Sequence, residues 1–109
     1  MTILDEHDQG LASEAAFNST REDRALAARN LMLGLWAAER MGLKNGAAYA
    51  HAVAKPDHEP PSDEDVLRKV SHDLADSGLA ISLGDVHAKM EEFLAQARAQ
   101  LEIDDKRSA

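Results

Sequence analysis

Cysteine is missing from this 109-residue chain, which excludes disulfide staples, thiolate metal ligands and a cysteine nucleophile. Aromatic residues are scarce, at 4% of the sequence, so any core has to be aliphatic and alanine-rich, which suits close helix packing better than a sheet. No run approaches the ~20 apolar residues that span a bilayer. The N-terminus shows no basic region followed by an apolar run, so the chain reads as soluble and cytoplasmic. Positive charge is also short: 12 Lys and Arg face 20 Asp and Glu, a net of −8. That balance opposes phosphate backbones and anionic lipid, so neither nucleic acid nor membrane insertion is expected. Sustained apolar–polar alternation is absent too, which leaves strands without a signal.

What is present is a single domain's worth of residues, 44% of them apolar. The densest run covers residues 31–43, where Leu31, Met32, Leu33, Leu35, Trp36 and Met41 point in several directions at once. A helix on the surface of a small domain shows one apolar face. This one has to be surrounded by others. It is expected to start near Ser19 or Thr20, with Glu22 and Asp23 in the first turn, and to stop at Gly42. Gly34 sits inside it, which calls for a close helix contact or a kink.

Three further helices are expected. A short alanine-rich one covers residues 46–54, and Pro56 ends it. A stiff polar connection fills residues 56–62. Ser62 caps the third helix, in which Val66, Leu67, Val70 and Leu74 form one stripe, and Gly78 ends it. Ser82 caps the fourth, with Ile81 and Val86 spaced as a hydrophobic staple. Its face is Val86, Met90, Phe93, Leu94, Ala97 and Leu101. The expectation is an all-α compact four-helix bundle over residues 20–103, with a frayed C-terminus over 104–109. Residues 1–19 stand apart, carrying Asp5, Glu6, Asp8 and Glu14 without Lys or Arg, and Gly10 is expected to interrupt any helix there. They read as a flexible acidic arm that becomes helical on contact with a partner.

Catalytic patterns do not appear. No strained nucleophile turn, phosphate loop or dinucleotide fingerprint is visible, and so small a bundle has little volume for a desolvated active site. His51, His58, His72 and His87 lack the i,i+4 pairing that places two metal ligands on one helix face, and read as exposed surface residues. The acidic cluster Asp57, Glu59, Asp63, Glu64 and Asp65 lacks calcium-loop spacing and reads as a solvated helix start. One region runs against the acidic balance. Residues 21–44 carry Arg21, Arg24, Arg29, Arg40 and Lys44 against three acids. Arg29 with Asn30, and Arg68 with Lys69, offer an anion such as a nucleotide phosphate a cationic set. Trp36 would be its aromatic member, although it reads first as a core anchor. Internal pairing with the surplus carboxylates is the plainer use of these cations.

Two motifs identify the chain by resemblance. Leu33-Gly34-Leu35-Trp36-Ala37-Ala38-Glu39 and Asp63-Glu64-Asp65-Val66-Leu67-Arg68-Lys69-Val70 resemble the zeta subunit family of alphaproteobacterial ATP synthases, over about residues 17–103. The resemblance implies a four-helix bundle that regulates rather than catalyses. Its mobile leading segment enters the catalytic head of ATP synthase and blocks hydrolytic rotation, and its body binds ADP or ATP as a regulatory ligand. Carried onto this chain, the partner-binding arm is Ile3, Leu4, Asp5, Glu6, His7, Leu11 and Phe17. Leu4-Asp5-Glu6-His7 stands where the family has phenylalanine, two acids and arginine. Ala28-Arg29-Asn30-Leu31 has two cations fewer than the family pattern. These departures point to a weak inhibitor, or alternatively to a nucleotide-sensing module or adaptor without strong inhibitory activity.

Overall fold

Two serines set the starts of two helices, as their sequence context requires. Ser62 Oγ accepts a hydrogen bond from the Asp65 backbone N–H at 3.1 Å, and Ser82 Oγ does the same for Asp85 at 3.0 Å. Each satisfies one of the orphan donors of a first helical turn. Gly42 and Gly78 follow helix ends at φ of 71° and 82°, the left-handed region that glycine enters without a Cβ penalty. The computed structural model describes residues 2–54 and 61–108, with side chains over 21–54 and 61–107. The elements it contains are α1 (Thr2–Met41), α2 (Gly46–Ala54), α3 (Asp63–Asp76) and α4 (Leu83–Ser108). This is the all-α four-helix bundle the sequence implies. The polar connection expected over 56–62 lies, but for its last two residues, outside the described residues.

Two helices are longer than expected. α1 begins at Thr2 rather than near Thr20 and passes through Gly10. Extending an existing helix fixes one residue per hydrogen bond, whereas nucleation fixes several. One internal glycine costs only ~1 kcal/mol against that. At 1.5 Å per residue α1 is about 60 Å long, equal to the 60 Å longest dimension of the molecule. α4 runs on through residues 104–108, where fraying was expected. Gln100 donates to Asp104 at 3.0 Å, Lys106 pairs with Glu102 at 3.6 Å, and Asp105 pairs with Arg21 of α1. Lys106 and Arg107 in the last turn also complement the negative end of the helix dipole.

The main core joins Leu33 and Ala37 of α1 with Val53, Val66, Val70, Leu74, Val86 and Met90, closed over by Trp36, Tyr49, Ile81 and Phe93. A smaller cluster lies further along α1 and α4: Ala25, Ala97 and Leu101, flanked by Ala28, Met32 and Leu94. The middle of α1 is therefore covered on most sides, although Leu35 faces solvent at 50% exposure. Gly34 is explained by α2: a Cβ built on it would stand 2.6 Å from the Ala50 Cα. The backbones meet there.

α1 and α4 are antiparallel neighbours. Arg21 pairs with Asp105, Ala25 packs with Leu101, and Lys89 lies over the Trp36 ring. Each step toward the N-terminus on α1 thus matches a step toward the C-terminus on α4. By that register the last residue of α4, Ser108, stands opposite about residue 18. Residues 2–17 continue past the end of α4.

Candidate functional site

The projecting end of α1 comes first. Ile3, Leu4, Asp5, Glu6, His7, Leu11 and Phe17 all lie on this stretch, whose backbone is helical. Their side chains lie outside what the structure describes. At ~1.5 Å per residue, residues 2–17 reach about 24 Å beyond the bundle. Where α1 meets the last eleven residues of α4, two ion pairs cross between the helices: Arg21 with Asp105, and Glu22 with Arg98. The second is a fork. Arg98 Nε donates to Glu22 Oε1 at 3.1 Å and Nη2 donates to Oε2 at 2.5 Å. That hydrogen-bonded guanidinium holds the Glu22 carboxyl below its ordinary pKa, and Glu22 in turn raises that of Arg98.

The second place is a groove of about 410 Å³ between α1 and α4, lined by Trp36, Arg40, Ile81, Asp85, Ala88, Lys89 and Glu92. Its volume falls within the range of small-molecule pockets. The Lys89 ammonium sits 6.0 Å from the Trp36 ring centre and 5.7 Å from that of Phe93, near the limit of a cation–π contact.

The five residues expected at a nucleotide site are placed differently from one another. Arg29 and Asn30 are buried, at 2% and 4% exposure. Arg29 Nε donates to Asn30 Oδ1 at 2.8 Å, and Nη2 donates to Asp63 Oδ1 at 2.7 Å. This guanidinium ties α1 to the first turn of α3. Arg68 pairs with Glu64 at 2.5 Å on exposed surface. Lys69 is 3.3 Å from Asp73 and lies over the Tyr49 ring at 5.5 Å. Tyr49 itself donates to Asp73 Oδ2 at 2.7 Å. Of the five, only Trp36 lines the groove.

Arg40 and Lys89 were absent from the expected set. A signal for them existed, because Arg40 follows Trp36 by four residues, and Asp85, Lys89 and Glu92 share one face of α4. What the sequence does not say is that this face of α4 meets Trp36.

His51, His72 and His87 are exposed, His72 and His87 beside Asp76 and Glu91 of their own helices. Among the described residues no group of three His, Asp or Glu is arranged to hold a metal ion, and no helix is long and apolar enough to cross a membrane. No curated protein sequence matches this chain at a significant level. The family model for ATPase inhibitor subunit zeta does match, over residues 1–100, taking in the projecting end of α1 together with the bundle. By that match the chain belongs to the ATPase inhibitor subunit zeta family.

Proposed function

We propose that this chain restrains ATP hydrolysis by ATP synthase, with residues 2–17 entering the catalytic head and the bundle holding them at its entrance. The supporting observation is the register of α1 and α4, which carries α1 some sixteen residues past its neighbour. A rod about 24 Å long on a packed base can penetrate a subunit interface rather than touch its rim. A blocking element works by obstructing movement, so it needs stiffness and a wide anchor but no catalytic groups. Leu4-Asp5-Glu6-His7 supplies one aliphatic anchor and little positive charge, so the restraint is weak. The test compares the full chain with one lacking residues 1–17 on ATP synthase from the same source. The full chain is expected to slow hydrolysis and the shortened one is not. Equal effects of the two, or no complex at all, would remove the arm from the mechanism.

A second role rests on the groove at Trp36. We infer that an adenine nucleotide lies there with the base against the Trp36 indole and the phosphates toward Arg40 and Lys89, the latter giving up its 3.4 Å contact with Glu92. Among the described residues no ion pair or hydrogen bond occupies Arg40. Titration with ADP is expected to change the emission of Trp36, the sole tryptophan. Amide shifts should gather at residues 36–40 and 85–92. Saturable shifts centred on Arg68 and Lys69 would instead place the ligand on α3.

A further inference from the structure

We propose that the ion pairs Arg21–Asp105 and Glu22–Arg98 form a clasp that fixes where α1 leaves the bundle. Opening it frees the next turns of α1 and the last turns of α4 together. The inference rests on the reading of residues 2–17 as the docking segment, since it concerns how much of α1 that segment can recruit.

Three observations carry it. The pairs join the first described side chains of α1 to the last eleven residues of α4, and they are the cross-helix ion pairs nearest the projecting end among the described residues. Both involve part-exposed side chains, from 27% to 56% exposed, so water and salt compete for them. The apolar layer behind them is thin: Ala25, Ala28 and Ala97 present single methyl groups, and only Leu101, Met32 and Leu94 are large. This layer is separate from the main core around Leu33, Val70, Leu74 and Val86. Regions with few buried apolar contacts open locally at low cost, in cooperative units. The clasp and its alanine layer are such a unit, and its two strands of helix have no reason to open singly. Each supplies the other's partners.

The consequence is a variable arm. With the clasp closed the free segment is residues 2–17. With it open, α1 as far as about Ala28 becomes available, while the Arg29–Asn30–Asp63 contact still anchors the helix to α3.

Hydrogen exchange of the full chain tests this without ATP synthase, so its outcome is separate from that of the hydrolysis assay. Three proteins are compared: the native chain, Arg98→Glu, and Glu22→Arg combined with Arg98→Glu. In Arg98→Glu, amides of residues 22–28 and 97–105 are expected to exchange faster by up to about fivefold, a ratio in keeping with the worth of a surface pair. Amides at Leu33, Val70, Leu74 and Val86 should keep their native rates. The double variant should return toward native protection. Acceleration in α4 alone, acceleration spread through the main core, or no rescue by the charge swap would each overturn the clasp.

Discussion

Gly34 and Ala50 touch backbone to backbone, and that contact predicts the sign of a substitution that propensity alone would get wrong. Alanine is the better helix former by ~1 kcal/mol. A methyl group at position 34 would, however, meet the Ala50 Cα at 2.6 Å. Because the obstacle is main chain, α2 has to move as a whole, and overpacking of this kind costs about 1–3 kcal/mol. Gly34→Ala is therefore expected to lower the denaturant midpoint. Adding Ala50→Gly should restore little, since the Cα remains. A stabilised Gly34→Ala protein would show that the crossing is loose. Tyr49 gives a second measurement. Burial, and then its hydrogen bond to the Asp73 carboxylate, push the phenol well above its ordinary pKa. A raised folded pKa contributes stability that is full below the ordinary phenol value, near 10, and is lost progressively as pH climbs from there through the folded value. As the sole tyrosine, Tyr49 should show no phenolate absorbance near pH ~10 while the chain stays folded. Asp73→Asn should bring the step downward, and a native chain titrating like free tyrosine would refute the burial argument.

At the scale of the helices, the elements whose signals are local were legible. Ser62, Ser82, Gly42 and Gly78 mark ends through groups within a few residues of themselves, and α3 falls where Ser62 and Gly78 put it. The start of α1 and the end of α4 were not legible. Gly10 weighs heavily when its segment is read alone, but lightly once residues 21–41 already form a packed helix to extend. The end of α4 depends on Arg21, more than eighty positions away in the chain. The same geometry predicts what truncation does. Removing residues 2–17 takes away a stretch that lies beyond α4, so the free energy of unfolding of the bundle should change by less than about 0.5 kcal/mol. Helical circular dichroism should fall in proportion to the residues removed. A large drop in stability would mean that the projecting segment packs on the body and is not available to a partner.

For the whole molecule, charge decides which cations are left free of carboxylates and what the projecting end presents. The candidate nucleotide set drawn from the sequence scattered in the fold because its cations had carboxylates nearby. Arg29 took Asp63, Arg68 took Glu64 and Lys69 took Asp73. In a chain of net −8 most cations are consumed in this way, and Arg40 became legible as a groove residue only once α4 was placed beside it. The projecting end carries no cation of its own, and Asp5, Glu6, Asp8 and Glu14 give it −4. An acidic rod is steered toward positive surface by long-range attraction, which acts mainly on the rate of association and is screened over ~8 Å at physiological salt. Binding to ATP synthase is therefore expected to slow as salt is raised, with dissociation nearly constant. Replacing Asp5, Glu6 and Asp8 by their amides should flatten that dependence without altering the fold of the bundle. Association that is indifferent to salt would mean that the acids of the arm take no part in steering, and faster association of the amide variant that they repel the partner; either result leaves Leu4, Leu11 and Phe17 to bring the arm in by apolar contact.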